Sequence, residues 1–149
     1  IRALLSVERF DGDIWEPACG DGAISKELVA AGYDVIATDI ADWGYGNPGY
    51  DFLNAERIYA RNIVTNPPYG ERMDKEADIH AFYKMIGDTL KKKWAGWTAW
   101  IITSNMEAAK HIKLTPKPKI KLYNGALDCR FLRYELYAGS RRREDVEVQ

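Results

Sequence analysis

The chain has few of the residues that build metal centres and disulfide-rich folds. It contains 2 cysteines, Cys19 and Cys129, and 2 histidines, His80 and His111. The cysteines lie far apart and no secretion signal is visible, so we expect both thiols to be reduced. None of these residues has the spacing of zinc ligands, and the two histidines are isolated in the sequence. No metal site is therefore predicted.

Long apolar segments are also missing. No run approaches the ~20 apolar residues that a membrane-spanning helix requires, and the opening IRALLSVERF is charged and too short for the apolar region of a signal peptide. We therefore expect a cytoplasmic protein without a membrane partner. The length of 149 residues suits one domain, and 46% hydrophobic residues are enough for a sizeable core. We expect that domain at 1–140 and a polar tail at 141–149, whereas the oligomeric state stays open.

Positive charge is scarce in the first half of the chain and abundant in the second. Residues 1–70 carry 5 Lys and Arg against 11 Asp and Glu, whereas residues 71–149 carry 16 against 11. Residues 90–123 contain 8 lysines and a single acid, Glu107. Clustered cations raise the affinity for phosphates, so one interpretation is a basic face that attracts a polyanion. The other is an ordinary solvated surface.

The order of the apolar patterns predicts a mostly parallel α/β sheet. Short β-branched or apolar runs predict strands at 14–15, 33–39, 62–66 and 97–105. Helical spacing predicts helices at 1–9, 23–31, 76–93 and 106–112. The first strand, its loop and helix, and the second strand form a βαβ unit, which makes a parallel pair. Asn124 and Gly125 between two alternating runs predict a closing antiparallel hairpin.

The segment between the second and third of these strands carries no long periodic pattern. Residues 40–50, IADWGYGNPGY, are rich in glycine and aromatic residues. The following DFL, at 51–53, predicts a stub of an additional strand, and NAERIYA, at 54–60, predicts a helical turn or two. We therefore expect this part of the sheet to be shortened.

The loop EPACGDG, at 16–22, follows the first strand, where parallel α/β sheets bind ligands. Gly20 and Gly22 allow the backbone to approach a ligand closely, and the helix N-terminus behind them favours a negative group such as a carboxylate. Asp39 ends the second strand, at a position where an acid commonly binds ribose hydroxyls. Together these features favour a ligand that contains adenosine. The alternative is that the glycines only form a tight turn and Asp39 caps the next segment.

The segment NIVTNPPYG, at 62–70, ends a strand at the same edge of the predicted sheet. Two consecutive prolines fix the backbone, so the Asn66 side-chain oxygen and the Pro67 carbonyl can both accept hydrogen bonds from one amino group. Tyr69 offers a face on which a flat base can stack. An amine held beside an adenosine cofactor predicts transfer of a group to nitrogen.

These two segments carry a resemblance to a known family. EPACGDG and NPPY together resemble the first and fourth motifs of the class I, Rossmann-like S-adenosylmethionine-dependent methyltransferases, and more narrowly the amino-methyltransferases with Asn/Asp-Pro-Pro-Tyr/Phe. The likeness covers nearly the whole chain. It implies a doubly wound, mostly parallel sheet that ends in an antiparallel hairpin. It also implies S-adenosyl-L-methionine as the cofactor and methylation of an exocyclic amino group.

The resemblance also implies the residues of the site. The cofactor-binding residues that it implies are Glu16, Ala18, Gly20, Asp21, Gly22, Asp39, Ile40, Asp51 and Phe52, and the catalytic residues are Asn66, Pro67 and Tyr69. Within this set the glycine loop flanks the methionine moiety, with Glu16 or Asp21 near its amino group. Asp39 binds the ribose and Ile40 packs on the adenine.

Some positions depart from the family pattern. Ala18 stands where many relatives have glycine. Asp51 is implied to accept a hydrogen bond from the adenine amino group, with Phe52 beside the ring, but the span from Asp39 to Asn62 is short for the family. The guanine-N2 enzymes of this class also normally carry an RNA-binding module, for which 149 residues leave no room.

The two halves resemble different branches of the class. Residues 1–69 are similar to phage-type or bacterial DNA methyltransferase-like proteins, and residues 62–138 are similar to bacterial large-subunit ribosomal RNA guanine-N2 methyltransferases. The two likenesses overlap at 62–70, which predicts a chimera joined there; the alternative is one divergent family with both features. The implied substrate is a nucleic acid, RNA rather than DNA. The alternatives are a cofactor-binding scaffold with little activity, a protein glutamine methyltransferase and, more remotely, a nucleotide-dependent oxidoreductase.

Overall fold

The computed structural model of the chain describes residues 1–6, 8–56, 58, 60–67, 76–117, 119–124 and 127–137, with the backbone alone at 119–124 and 127–128. The strands are β1 (Ile14–Glu16), β2 (Val35–Ala37), β3 (Asn62–Thr65), β4 (Thr98–Thr103), β5 (Lys119–Asn124) and β6 (Leu127–Glu135). The helices are α1 (Arg2–Leu5), α2 (Ala23–Ala30), α3 (Glu76–Lys93) and α4 (Met106–Ala109), with 3-10 turns at Phe52–Asn54 and Lys110–Ile112. The predicted tail at 141–149 lies outside the described residues.

The described strands form one six-stranded sheet in the order β2-β1-β3-β4-β6-β5. The first four of these strands are parallel, and β6 is antiparallel to both β4 and β5. Asn124 pairs with Leu127, as the predicted hairpin requires, although Gly125 lies outside the described residues. The mostly parallel Rossmann-like sheet with a closing antiparallel hairpin is therefore confirmed.

Adjacent residues of each strand face opposite sides of the sheet, and each side has its own hydrophobic core. In β1, Ile14 shares one core with Leu28 of α2, whereas Trp15 shares the other with Tyr83 of α3. The α3 side also contains Ile63, Ile79, Ile86, Leu90, Ala99 and Ile101, and the α2 side contains Leu4, Val64, Trp100, Ile102 and Phe131. The sheet is therefore covered by helices on both faces.

The predicted strand at 51–53 is wrong, although the shortening of this region is confirmed. Phe52–Asn54 forms a 3-10 turn because the Asp51 side chain accepts a 3.0 Å hydrogen bond from the Leu53 N–H and caps it. The contact with the edge of the sheet beside β2 comes before residue 51, at Asn47, which forms an isolated parallel bridge with Thr38. The helical turns expected at 54–60 are also wrong, since the described residues after Asn54 in that range are not helical.

Tertiary contacts pair residues that are isolated in the sequence. The rings of His80 and His111 stack with centroids 4.2 Å apart, which joins α3 to the turn after α4. Gly87 makes this approach possible, because a Cβ at Gly87 would collide with the Ile112 carbonyl oxygen. The helix expected at 1–9 is shorter than predicted and covers Arg2–Leu5.

The lysines at 90–123 do not gather at one place. Those at 91–93 end α3 just before β4 begins at Thr98, so they lie at the edge where the parallel strands start. Lys110 and Lys113 come after β4 and flank His111, which stacks on His80 near the start of α3. The lysines at 91–93 therefore lie apart from Lys110 and Lys113, and the interpretation of these lysines as a face that attracts a polyanion stays a prediction.

Candidate functional site

The ends of β1 and β2 meet at the edge of the sheet where the parallel strands finish, which we call the carboxyl edge. The Gly20 N–H donates a 2.9 Å hydrogen bond to Asp39 Oδ2, and the Ala41 N–H donates a 3.0 Å bond to Asp39 Oδ1. Asp39 is only 8% exposed. Two backbone donors therefore fix the direction of this buried carboxylate, directly beside the glycine loop.

The two glycines of this loop have different surroundings. Gly20 has a φ of +54°, and a Cβ built on it would meet nothing within 4 Å. Gly22 has a φ of +86°, and a Cβ there would lie 2.5–2.7 Å from the ring of Tyr45. Both positions require glycine for their left-handed backbone. The open space that a ligand needs, however, lies at Gly20, whereas Tyr45 covers Gly22.

Glu16, the last residue of β1, lies beneath the loop. It is 2% exposed, and its Oε1 accepts a 3.1 Å hydrogen bond from the Ser25 N–H and a second from the Ser25 hydroxyl. Burial raises the pKa of Glu16 to about 7, against the two bonds from Ser25, which lower it. The negative charges of Asp21 and Asp39 raise it further. Glu16 thus ties β1 to the first turn of α2.

The segment 40–50, which we call the cover loop, folds back along the edge of β2. The Asn47 N–H donates to the Ala37 carbonyl at 2.9 Å, and the Asp39 N–H donates to the Asn47 carbonyl at 3.1 Å. The Cys19 thiol points to the Tyr45 carbonyl at 3.7 Å. Burial and the charges of Glu16 and Asp39 raise the pKa of this thiol. The cover loop therefore takes the place of the next strand beside β2.

Three other residues of the implied cofactor site are exposed. Ala18 and Asp21 lie at the surface of the glycine loop, where Asp21 Oδ1 accepts a 3.2 Å hydrogen bond from the Ala23 N–H. Ile40 is 68% exposed next to Asp39. Its apolar side chain is therefore free to pack against a flat ring at this edge.

Asp51 and Phe52 have structural partners. The Asp51 carboxylate caps its own 3-10 turn and accepts a further 2.8 Å bond from the Asn54 side chain. The Phe52 ring lies 5.6 Å from that of Trp15 and packs on the α3-side core. The 3.0 Å bond from the Tyr50 N–H to the Asp39 carbonyl brings this segment toward Asp39.

Asn66 and Pro67 directly follow β3, which lies between β1 and β4 in the sheet. Since the three strands are parallel, Asn66 is at the same carboxyl edge as the glycine loop. Its side chain is exposed, whereas Pro67 is buried. Tyr69, the third residue of the implied catalytic set, lies outside the described residues.

The end of the neighbouring strand, β4, is held by side-chain hydrogen bonds. At the end of β4, Thr103 Oγ1 lies 2.8 Å from the hydroxyl of Tyr83 and accepts a 3.1 Å bond from the Asn105 N–H. Burial raises the pKa of Tyr83 to about 12, so its hydroxyl stays protonated at neutral pH. This contact fixes α3 against β4 on the side of β3 away from the glycine loop.

The sequence analysis missed two contacts of the site. Ser25 is an unremarked helix residue until it meets Glu16, and Tyr45 lies 23 positions from the glycine that it covers. The sequence does contain a signal for the contact between Tyr45 and Gly22. The triplet Gly44-Tyr45-Gly46 repeats the glycine spacing of Gly20-Asp21-Gly22. Two loops that contain glycines can approach each other closely, because glycine has no side chain.

Two other kinds of site are absent from the part of the chain that the structure describes. No group of three or more His, Cys, Asp or Glu side chains in that part of the chain is arranged to hold a metal ion. No helix there is long and apolar enough to cross a membrane.

Comparison with protein families identifies a match over more than half of the chain. The profile of the RMKL-like methyltransferase domain matches residues 50–133. A "Ribosomal RNA large subunit methyltransferase K/L" of Shewanella sp. (strain ANA-3) is 39% identical over 148 residues, covering 96% of this chain and 20% of that protein. The chain thus spans a fifth or less of the curated relatives cited here, since a Shewanella loihica relative of the same name is matched over 12% of its length.

Solved structures share the fold at low sequence identity. A possible methylase from Clostridium difficile 630 superimposes with a TM-score of 0.75 at 21% identity, over 93% of this chain and 52% of that one. The 16S rRNA N2 G1207 methyltransferase RsmC of T. thermophilus, solved with AdoMet and guanosine, superimposes with a TM-score of 0.59 at 12% identity. The match covers 90% of this chain and 38% of that one. These likenesses support the Rossmann-like sheet described above.

Proposed function

The chain belongs to the family of RMKL-like methyltransferase domains, and we propose that it transfers the methyl group of S-adenosylmethionine to an exocyclic amino group of a nucleobase in RNA. The N2 amino group of guanine is the preferred target. The family match covers residues 50–133 and thus includes Asn66 but not the glycine loop. The cofactor half of the proposal therefore depends on the geometry of the carboxyl edge.

The observation that carries the proposal is the position of Asp39. Its buried carboxylate is held by the Gly20 N–H at 2.9 Å, and the exposed Asn66 follows a strand at the same edge. An oriented acid beside an open glycine loop suits an adenosine ligand, and an exposed amide suits an amine. The proposal therefore assigns the two halves of an amine-methylating site to adjacent parts of one edge.

The residues present fit S-adenosylmethionine. Each Asp39 oxygen accepts one backbone hydrogen bond and keeps a lone pair for a ribose hydroxyl. The space above Gly20 is open, and Ile40 offers an exposed apolar side chain. When bound, S-adenosylmethionine supplies an electrophilic methyl group on its sulfonium. Asp21, exposed on the glycine loop, and Glu16, buried beneath it with a pKa raised to about 7, would add negative charge near the amino group of the cofactor.

Holding the amine is the task that we assign to Asn66 and Pro67. The Asn66 side-chain oxygen and the Pro67 carbonyl both accept hydrogen bonds and would orient the nitrogen lone pair toward the methyl group. The same two oxygens stabilise the positive charge that grows on the nitrogen. The proton can then leave to water, so the chain needs no dedicated base. A paired base would have to leave its stack, which favours single-stranded RNA.

The names of the curated relatives are the reason for proposing RNA over other substrates that carry an amino group. The curated relatives carry the name of ribosomal RNA large subunit methyltransferases, and the structure of RsmC contains guanosine. Lys110 and Lys113 add positive charge beside the start of α3. A chimera joined at 62–70 is not needed for this proposal, since one relative aligns across that segment over 96% of the chain.

Calorimetry followed by methyl transfer tests the proposal. The chain is titrated with S-adenosylmethionine and then incubated with the tritiated cofactor and separate pools of ribosomal RNA, DNA and protein. Saturable binding with label in RNA, recovered as N2-methylguanine, is the expected result. Label confined to protein would favour a glutamine methyltransferase instead. Binding without label in any pool would favour a cofactor-binding scaffold, and absence of binding would overturn the proposal.

A further inference from the structure

Two histidine rings lie face to face between α3 and the 3-10 turn after α4. The ring centroids of His80 and His111 are 4.2 Å apart, and the ring planes differ by 21°. His80 Nε2 is buried and has no hydrogen-bond partner within the described residues. The Glu76 Oε1 atom lies 3.7 Å from it, which is beyond hydrogen-bond distance. The stack therefore contains a buried ring nitrogen that no neighbouring side chain satisfies in the described part of the chain.

The backbone keeps the two rings together. Ile112, next to His111, is fully buried in the α3-side core. Its carbonyl oxygen fits against Gly87 of α3, where a Cβ would collide with it. His111 therefore cannot turn away from His80 unless this packing is lost, and the stack is a fixed contact between α3 and the turn.

Charged residues surround the stack on all three elements that meet there. They are Glu76 and Lys84 of α3, one turn to either side of His80, Glu107 of α4, and Lys110 and Lys113 at the 3-10 turn. Lys84 bonds to Asp88 at 3.0 Å, and Lys110 bonds to Glu107 at 2.9 Å. The charges of Glu76 and Lys113 cancel, so these surroundings are neutral when both rings are neutral. Each proton on a ring therefore adds uncompensated positive charge.

Imidazole is the side chain that gains or loses a proton in this way between pH 5 and pH 8. Glu107 is close enough to sense the rings, because its pKa is lowered first by its bond to Lys110 and also by the charges of both histidines. Two protonated rings at 4.2 Å would repel each other. A bound anion would offset this repulsion and thus favour the protonated rings.

The stack also lies on the side of Asn66 that a polyanion would approach. The next described element after Asn66 and Pro67 is α3, and α4 follows β4, the neighbour of β3 in the sheet. On the other side of β3 the loops after β1 and β2 carry the exposed acids Asp21 and Asp42. Those acids repel phosphates, whereas the lysines of the turn attract them. An RNA with a base at Asn66 would therefore extend toward the stack.

We propose that His80 and His111 form a proton-linked contact site for the RNA backbone, in which a phosphate of the substrate stabilises the protonated rings. The inference rests on the proposed function, because the RNA is the substrate named there. It predicts that the chain takes up protons when it binds RNA. It also predicts that the chain binds RNA more tightly at pH 6 than at pH 8.

Calorimetry with a short single-stranded RNA, repeated in buffers of different ionisation enthalpy, measures the protons that accompany binding. At pH 7 the wild type should take up roughly 0.5–1 proton per RNA, and its affinity should fall by roughly tenfold between pH 6 and pH 8. His111→Gln should lose about half of the uptake or more. The double variant His80→Gln with His111→Gln should show none, because the chain has no other histidine. Thermal unfolding checks that each variant is folded.

Two further variants separate proton linkage from general charge attraction. His111→Lys carries a permanent charge, so it should bind RNA at pH 8 more tightly than wild type and take up fewer protons. Lys113→Gln should weaken binding at both pH values and leave the uptake unchanged. Wild type that binds RNA without proton uptake, or uptake that persists in the double histidine variant, would overturn the inference even where RNA is methylated. If the RNA is neither bound nor methylated, the proposed function fails with it.

Discussion

The main-chain N–H of Gly20 donates a 2.9 Å hydrogen bond to Asp39 Oδ2. This bond joins the loop after β1 to the end of β2, across 19 positions of sequence. It gives Asp39 two possible tasks, because the carboxylate that would bind the ribose also holds the loop that would bind the rest of the cofactor. Cofactor binding and local order at this edge would therefore be coupled.

Asp39→Ala should lower the affinity for S-adenosylmethionine by at least about tenfold. Each charge-assisted hydrogen bond from the ribose to the Asp39 carboxylate would contribute roughly 1.5–3 kcal/mol to binding. Calorimetry measures the affinity, and thermal unfolding measures the cost of releasing Gly20. Asp42→Ala is the matched control, because Asp42 is exposed on the cover loop and caps only the Gly44 N–H. Unchanged affinity in Asp39→Ala would remove this residue from the site. Competition by NAD would contradict the methyltransferase assignment.

Glu16 should make stability fall as the pH rises. Its pKa lies near 7 in the folded chain and 4.5 is its ordinary value, so between these values the folded state holds a proton that the unfolded state has lost. Linkage then lowers the free energy of unfolding by about 2–3 kcal/mol between pH 5 and pH 8. Urea unfolding of wild type and Glu16→Gln at both pH values isolates this contribution. Equal pH dependence in the two proteins would show that Glu16 ionises normally.

Gly46 and Gly44 provide a matched pair on the cover loop. Both have a left-handed backbone, with φ of +70° and +79°, but only Gly46 lies against other atoms. Gly44→Ala should therefore cost only the roughly 1–2 kcal/mol of backbone strain. Gly46→Ala should lower the free energy of unfolding by about 1–3 kcal/mol more than Gly44→Ala does, because its methyl group would collide with the Ala37 carbonyl and Cys19. The denaturant midpoints of the two variants measure these losses of stability. Equal losses in Gly44→Ala and Gly46→Ala would mean that the cover loop does not pack as described.

The lysines offer a test of the RNA-binding surface. Lys110→Gln with Lys113→Gln should weaken binding to single-stranded RNA and reduce the slope of log K against log salt by roughly 0.7 for each lost phosphate contact. Lys92→Gln with Lys93→Gln removes equal charge at the opposite edge of the sheet and should change the slope less. Equal effects of both pairs would indicate a diffuse surface attraction. No effect of either pair would make these lysines an ordinary solvated surface.

The parts of the fold that sequence predicted well are those with a strong local pattern. The helix at 76–93 has a continuous apolar face, and its bounds match α3. The hairpin was predicted from Asn124 and the alternating runs beside it, and β5 and β6 do pair there. A segment with a regular apolar pattern is expected to bury one face, so the pattern alone is sufficient to predict its secondary structure.

The cover loop could not be predicted in this way. Its arrangement depends on contacts with other segments, such as Asn47 with Thr38 and Gly46 with Cys19. The glycine loop and Asp39 were predicted as neighbours, because parallel strands end at one edge. The different surroundings of Gly20 and Gly22 could not be, because the side chain that covers Gly22 comes from another loop.

The central claim is that Asn66 holds the amine that is methylated. Its side chain is exposed at the end of β3, so Asn66→Ala should leave the melting temperature and cofactor affinity nearly unchanged. Asn66→Asp keeps an acceptor oxygen and is expected to retain part of the activity. The measurement that tests the claim most directly is tritium transferred to ribosomal RNA per folded molecule. The account predicts a fall of roughly 10²–10³ in Asn66→Ala, the scale of one lost contact to a developing charge. An unchanged rate together with a lowered melting temperature would contradict it, because Asn66 would then serve only to end the strand.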